Sequence, residues 1–564
     1  MTEERPDRAL ASLIGRLLAA TSPGPATHDG PGRARESSAD PAAGWDQLEN
    51  LVFACVQCGL VDAALASLQR LLEKLPVAGD RDARSSSVHP ATTWITVAQQ
   101  SRLWWLQGVL LHDQQHYEPA LEAMTRAARL DSAEPALLGQ AQLCFETGRP
   151  AAAQFAQLHA RLPHDPQLIR NLAGALAAEG DSTAAERVLS TALRRQPDWL
   201  EGQRLLATLR HTQGVDAFDA GYAEALAANP VQPALWLAWF QALATAKRWA
   251  QARQVLDRAV ARLGEQRALA VSRLYLAAES GAANDLPDLF AAVPENGDPG
   301  LGLARVRHAL RCGDPAAASR LASRFLTMPA APLFWPYQSL AWRLLDDPRA
   351  AWLDRPEVLI REFDLGLAPA ELTRLAGLLR ALHTQAAPYH EQSVRGGTQT
   401  DRPLLARHDP VIVRLRAALQ CAVLDYVRAL PPAEEGHPLL APHLRADLTD
   451  PAVGPSAVRF AGSWSVRLAD AGFHACHTHP RGWLSSACYV ALPPDPGPAP
   501  AGCLQFGAPP AELGLPLAPY RTIEPKAGHL VLFPSTLWHG TAPFRAGERL
   551  TVAFDVMPGR PGAR

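Results

Sequence analysis

From Trp45 to about Asp354 apolar residues recur at helical spacing, in short paired runs separated by turn residues. The clearest unit runs from Pro166 to Pro197. Ile169, Leu172, Ala173 and Leu176 share one face of a first helix, Gly180-Asp181 make a turn, and Ala185, Leu189 and Ala192 line a second helix. Small residues at Ala173 and Ala185 let the two helices approach, and the larger ones fill the groove between them. The same layout returns at Trp104, Gly108, Leu111, Tyr117, Ala120, Met124 and Ala127, and again at Leu138, Ala141, Phe145, Ala151, Phe155 and Leu158. A further copy lies at Trp236, Trp239, Leu243, Ala252, Leu256 and Ala259. The pattern weakens between Asp198 and Asn229 and beyond Gly264, where divergent helix pairs are expected.

After Asp354 the period changes. Helical stretches at Pro369–Thr384 and Pro410–Leu430 flank a polar segment, Ser393 to Thr400, that reads as a loop. From Ser456 onward short apolar runs alternate with Gly/Pro turns, the signature of a β-sandwich or barrel. The predicted strands are Val458–Leu468, Leu484–Leu492, Leu504–Phe506, Leu530–Phe533 and Leu550–Val556. Ahead of the repeats, residues 1–20 allow a short amphipathic helix and Thr21 to Gly44 read as a flexible tether. The expected domains are therefore a flexible segment at 1–43, helical repeats at 44–354, a helical lead-in at 355–450 and a β-rich core at 451–564.

The repeat positions resemble the tetratricopeptide repeat family over roughly residues 44–330. The resemblance implies an all-α solenoid with a concave groove suited to extended peptides or partner helices.

Histidines carry the candidate chemistry. The chain reads Gly472-Phe473-His474-Ala475-Cys476-His477-Thr478-His479-Pro480 and later Phe533-Pro534-Ser535-Thr536-Leu537-Trp538-His539. On an extended strand residues i and i+2 point to the same face, so His477 and His479 can reach one ion. A double-stranded β-helix sets a second strand beside the first, and His539 then completes one face of an octahedron, leaving three positions for water, a bidentate co-substrate and dioxygen. Ten residues beyond, Arg549 begins a strand from which it could grip a carboxylate, with the Thr551 hydroxyl on the same face.

This arrangement resembles the Fe(II)/2-oxoglutarate-dependent oxygenases, and more narrowly a bacterial and phage-type oxygenase family often joined to tetratricopeptide repeats. The matching stretches are Gly462-Ser463-Trp464, the H-x-H-P at 477–480, Gly482-Trp483-Leu484-Ser485, Tyr489-Val490, Gly502 to Gly507, and Pro525 through Asp555, with the Gly396–Thr400 segment also typical. The resemblance covers about residues 357–558. It implies a C-terminal α+β domain with a double-stranded β-helix (jelly-roll) core behind the all-α solenoid. It also implies Fe(II) held by His477 and His539, and 2-oxoglutarate as co-substrate with its distal carboxylate on Arg549. Thr551 takes the hydroxyl position and Tyr489 a second donor to that carboxylate. The superfamily's usual H-x-D or H-x-E becomes H-x-H here, with His479 as the third metal ligand.

The implied activity is hydroxylation of a protein or peptide side chain recruited by the repeats, with dioxygen consumed. Two other readings stay open: an interaction scaffold carrying a degenerate barrel, and a three-histidine dioxygenase that does not use 2-oxoglutarate. For individual residues too the alternatives stand. The histidines could be polar strand-end residues, Arg549 could pair with Glu548 or Asp555, and Tyr489 could be a core aromatic. His474, three residues before His477, faces away from the site on a regular strand, and only a bulge or turn brings it in. His474 and His529 then read as solvent-side or hydrogen-bonded residues, Cys476 and Cys488 as small buried hydrophobes, and Ser535 as the residue that shapes the turn before His539.

Composition narrows the classes. Lys+Arg 54 against Asp+Glu 56 leaves a net charge of -2, which argues against a protein held on nucleic acid by bulk electrostatics. Nearly all the positive charge is arginine, with lysine only at Lys74, Lys247 and Lys526. Eight cysteines are too few for a disulfide scaffold, and Cys55 with Cys58 fall inside an apolar helical pattern as buried helix residues. No stretch approaches the ~20 apolar residues that span a bilayer, and the N-terminus lacks a signal-peptide pattern, so a cytoplasmic protein without a membrane partner is expected.

Overall fold

The computed structural model describes residues 5–19, 41–73, 96–280, 286–389, 392–445 and 448–558. Most of the expected tether lies outside the described residues, although its last positions, from Pro41, already belong to a helix that runs to Gln57. The chain divides into two compact units, one up to Leu162 and one from Pro163 onward.

The first unit is built of helices. A helix at Pro6–Ala19 is followed by Pro41–Gln57 and Val61–Leu72, then by the pairs Val97–Asp113 with Tyr117–Leu130 and Glu134–Glu146 with Ala152–Arg161. Small residues sit where the repeat pattern demands close approach. A Cβ added to Gly108 would stand 2.9 Å from the Met124 side chain. Cys55 is buried as expected, but Cys58 is exposed, because the helix ends at Gln57 and the chain turns outward there.

The second unit opens with helix pairs. Pro166–Ala178 with Ser182–Arg195, Pro233–Thr245 with Trp249–Leu263 and Pro299–Arg311 with Pro315–Ser323 follow the repeat layout. The weakly patterned stretches are helix pairs as well, at Leu200–Thr212 with Ala220–Ala228 and at Arg267–Ser280 with Leu286–Ala292. Asp-Pro dipeptides start several of these helices. The Asp165 carboxylate accepts from the amides of Gln167 and Leu168 and Asp298 from Gly300 and Leu301, satisfying donors that the first turn leaves without partners.

Among the described residues nine strands follow: β1 (Arg361–Asp364), β2 (Val394–Gln399), β3 (Phe460–His474), β4 (Leu484–Ala491), β5 (Leu504–Phe506), β6 (Arg521–Ile523), β7 (His529–Pro534), β8 (His539–Thr541) and β9 (Arg549–Val556). They form a six-stranded sheet in the order β1-β7-β4-β9-β3-β2 and a three-stranded sheet in the order β6-β5-β8. Every pairing is antiparallel. This is the two-sheet jelly-roll arrangement.

Period-two alternation decides what each face meets. Leu550, Val552, Phe554 and Val556 of β9, with Leu530 and Leu532 of β7, pack outward against Leu375 and Leu379 of the helix Pro369–Leu382 and Leu415 and Leu419 of the helix Pro410–Arg428. Tyr489, Val531 and Phe533 point inward and meet Leu504, Phe506 and Ile523 of the small sheet. The large sheet is thus covered on both faces around β4, β7 and β9.

The polar segment expected as a loop is strand β2, hydrogen-bonded to β3. Its glycines, which read as loop residues, are there because the two backbones touch. A Cβ at Gly397 would lie 2.3 Å from the Arg467 carbonyl oxygen, and Gly396 holds φ +69. Strands β1, β6 and β8 are too short to leave a periodic signal and had no counterpart in the sequence reading.

Candidate functional site

Two histidine-bearing segments meet at the open end between the sheets. The His477 amide donates to the His539 carbonyl at 3.0 Å and the His539 amide donates back to His477 at 3.1 Å, an isolated antiparallel bridge. The His479 amide donates to the Ser535 carbonyl at 3.0 Å. Ser535, fully buried, also joins its hydroxyl to Ser485 of β4 at 2.8 Å, so it locks both segments to the sheet as well as shaping the turn.

Backbone pairing forces the side chains together. Possible ligand atoms of His477, His479 and His539 all lie within 4.8 Å of one another. Ring centroids are 4.3 Å apart for His477 and His539, 4.9 Å for His477 and His479, and 5.1 Å for His479 and His539. Each ring is tied through Nδ1: His477 to the Ala475 carbonyl at 2.8 Å, His539 to the Leu537 carbonyl at 3.0 Å, and His479 to both oxygens of Asp555 at 2.8 Å. A protonated Nδ1 in these bonds leaves Nε2 of each ring as the lone-pair atom, the tautomer a metal ligand requires. Burial, with the neighbouring imidazoles adding to it, holds His477 and His539 well below the usual histidine range and therefore neutral.

β9 supplies the opposite wall. Arg549, Thr551 and Ala553, alternate residues of one face, all line a cavity of about 250 Å³ that also contains the three histidines, Trp464, Phe533 and Leu504. Arg549 is 3% exposed and donates one bond, from Nη1 to the Gly502 carbonyl at 2.8 Å. Its guanidinium lies 5.0 Å from the Tyr489 ring centroid. Among the described residues, Arg549 Nε and the Tyr489 hydroxyl have no hydrogen-bond partner. Buried polar atoms are rarely left so, and a buried cation beside an unsatisfied hydroxyl suits an anionic acceptor such as a carboxylate. Burial pushes the Tyr489 phenol up to about 12, keeping it a donor.

The alternative partners suggested for Arg549 are engaged elsewhere. Glu548 is held by Arg380 and Arg467, each at 2.8 Å, and Asp555 by His479. His474, expected to face away, lines the same cavity. The register of β3 against β2 shifts between Arg395 and Gly397, and Ala471 holds φ 57, so the end of β3 is turned inward. The Ser393 hydroxyl lies 3.1 Å from His474 Nδ1 and 3.3 Å from His477 Nε2, and burial lowers His474 to about 3. Cys488 is fully buried as expected, whereas Cys476 is only half-buried beside Gly540.

Sequence reasoning missed Ser393, Gln392 and Gln399 on the cavity wall and Asp555 behind His479. For Asp555 a signal existed: it lies six residues after Arg549, in phase with Thr551. For the cavity-lining segment at 392–399 the only signal was the family resemblance of Gly396–Thr400, and its position on the wall depends on the β2–β3 pairing.

Residues 462–555 match the family described as "Putative 2OG-Fe(II) oxygenase". The match lies within the two-sheet C-terminal domain. The family implies Fe(II) and 2-oxoglutarate, and the donor set fits both: three imidazoles with Nδ1 engaged, and a buried guanidinium with an open bond.

Solved structures similar to parts of the chain are of two kinds. A tetratricopeptide repeat protein from Parabacteroides merdae is 14% identical, covers 54% of this chain and 98% of its own, and has a TM-score of 0.29. A viral collagen prolyl hydroxylase from Paramecium Bursaria Chlorella virus-1, in complex with 2OG, is 12% identical, covers 36% of this chain and 96% of its own, and has a TM-score of 0.23. A Pseudomonas putida prolyl-4-hydroxylase is 16% identical, covers 38% and 96%, and has a TM-score of 0.23. No curated protein matches the chain. No helix among the described residues is long and apolar enough to cross a membrane.

Proposed function

We propose that this protein is a non-haem Fe(II)/2-oxoglutarate-dependent dioxygenase that hydroxylates a protein or peptide side chain recruited by the helical repeats. His477, His479 and His539 would hold the iron, and Arg549 with Tyr489 and Thr551 would receive the distal carboxylate of 2-oxoglutarate. The observation that carries this reading is the buried Arg549 guanidinium with an unfilled bond, in the same cavity as three converging imidazoles.

When bound, iron and 2-oxoglutarate supply dioxygen activation, with decarboxylation to succinate and CO2 furnishing two electrons. The remaining work belongs to the chain. The three Nδ1 bonds fix the ring orientations before any ion arrives, so little ordering entropy is lost on binding. Arg549 and Tyr489 sit on adjacent strands and present a positive, donating floor to the co-substrate. Phe533 and Leu504 add apolar surface to the cavity wall, which would help to exclude water from the reacting centre and strengthen the charge contact. The domain order extends the reading: the catalytic domain would comprise the lead-in at 355–450 with the core at 451–564, and the repeats at 44–354 would deliver the substrate.

Arg549→Ala is expected to weaken 2-oxoglutarate binding about a hundredfold or more, since a buried charge-assisted pair is lost, while Fe(II) stays bound. The check is anaerobic titration of 2-oxoglutarate into the Fe(II)-loaded chain, read by the visible charge-transfer band, followed by succinate release in air. Equal affinity in the variant removes the carboxylate assignment. Iron uptake with no band in the wild-type chain would instead favour the three-histidine dioxygenase, and no uptake at all the scaffold.

A further inference from the structure

The three imidazoles are not equivalent. Two rest their Nδ1 on main-chain carbonyls, which are neutral dipoles. The third, His479, rests on a full negative charge, with both Asp555 oxygens 2.8 Å from Nδ1. Asp555 is itself buried, at 8% exposure, and is fixed from behind by the Ser485 hydroxyl, which donates to Oδ1 at 2.6 Å. Ser485 in turn meets Ser535, whose carbonyl holds the His479 amide. The chain closes a loop from His479 through Asp555, Ser485 and Ser535 back to His479. Room for it is made by Gly482, where an added Cβ would stand 2.6 Å from Ser535 Oγ and 3.0 Å from Asp555 Cβ.

We propose that Asp555 is the carboxylate of this metal centre, acting one residue removed as a positioning residue through His479. The inference rests on the metal-binding reading above. Position 479 is where the usual H-x-D or H-x-E pattern puts its anion, and a neutral imidazole there leaves the site one negative charge short. Asp555 restores that charge behind the ring. It keeps the proton on Nδ1, polarises the imidazole so that Nε2 is a stronger donor, and fixes the ring plane. The burial of Ser485 and Ser535 keeps water from competing for the carboxylate, so its field acts on the ring with little screening. β9 then carries both charges of the site on one face: Arg549 at one end for the co-substrate, Asp555 at the other for the metal.

The test is metal binding by the full chain, with Co(II) alone as probe, titrated without oxygen and read by its visible ligand-field spectrum. Asp555→Asn keeps the shape and an acceptor but removes the charge. Asp555→Ala removes both, and Ser485→Ala loosens the carboxylate without touching it. Co(II) affinity is expected to fall about tenfold in Asp555→Asn and up to about a hundredfold in Asp555→Ala, with an altered spectrum and with circular dichroism unchanged. Should Asp555→Ala misfold, Asp555→Asn and Ser485→Ala decide the matter, because both preserve the packing. Wild-type affinity and an unaltered spectrum in the folded variants overturn the role of Asp555 alone. Absence of Co(II) uptake by the wild-type chain, or undiminished uptake in His539→Ala, overturns the metal centre and this proposal together.

Discussion

A histidine outside the metal candidates must stay neutral to keep its hydrogen bonds. His437 is 1% exposed, and its Nδ1 accepts from the amides of Leu439 and Leu440 at 3.1 and 3.3 Å. A proton on Nδ1 would break both bonds. Burial, with Arg355 adding to it, lowers the group from 6.5 to about 4. Between those values the unfolded chain takes up a proton that the folded chain refuses. Stability therefore falls as pH drops through that window, and this contribution levels off below it. His437→Asn, which keeps an acceptor at the same distance along the side chain, is expected to flatten the decline of the denaturation midpoint between pH 6.5 and 4. Urea titrations of the metal-free chain across that range check it, and an identical slope in the variant would refute the assignment.

Among the elements, β2 shows how a sequence cue reverses in meaning. Arg395-Gly396-Gly397-Thr398 has the composition of a turn, yet it is an edge strand paired with the longest strand of the domain. Gly397 is required by the approach of the Arg467 carbonyl and the Leu468 Cα, at 2.3 and 2.9 Å from a would-be Cβ, and backbone atoms cannot swing aside. Gly397→Ala is thus expected to destabilise the domain by ~2 kcal/mol and to loosen the Ser393 end of the strand. Denaturation with amide exchange across β2 and β3 measures both effects, and an unchanged midpoint would mean that the strand pair relaxes freely. β9 was legible because it is long and alternates strictly. β8, three residues long, left no periodic signal.

Across the second unit as a whole, the repeats touch the C-terminal domain directly behind a proposed ligand. Trp538, the residue before His539, points the opposite way on an extended backbone and packs with Phe334, Tyr337 and Leu340 of the helix Ala331–Leu344. Its indole donates to the Pro336 carbonyl at 3.0 Å, and the Tyr337 ring stands edge-on at 5.2 Å. Nearby, Arg343 binds the carbonyls of Gly507 and Ala518, and Lys247 pairs with Glu512 at 2.9 Å. On another side, the Ala386 amide donates to the Thr212 carbonyl at 2.9 Å, anchoring the chain shortly before Ser393. The repeats therefore brace the cavity from two sides. Trp538→Ala is expected to cost about 3 kcal/mol of stability and to weaken Co(II) binding, because His539 loses its backing. Trp538→Phe, which keeps most of the packing and loses one hydrogen bond, should cost about 1 kcal/mol and leave the metal in place. Thermal unfolding and metal titration of the two variants distinguish bracing from simple packing.

Local pattern alone determined the helix pairs, the strands β4, β7 and β9, and which histidine and arginine positions fall on one face at a two-residue period. Periodicity is a short-range property, written in residues that follow one another, so it survives without knowledge of the partner. Tertiary structure decided which strand lies beside which, and with it that His474 turns inward, that a glycine-rich stretch is a strand, and that Asp555 stands behind His479. Those outcomes depend on hydrogen-bond register between segments far apart in the chain. No window of sequence contains both halves of such a contact.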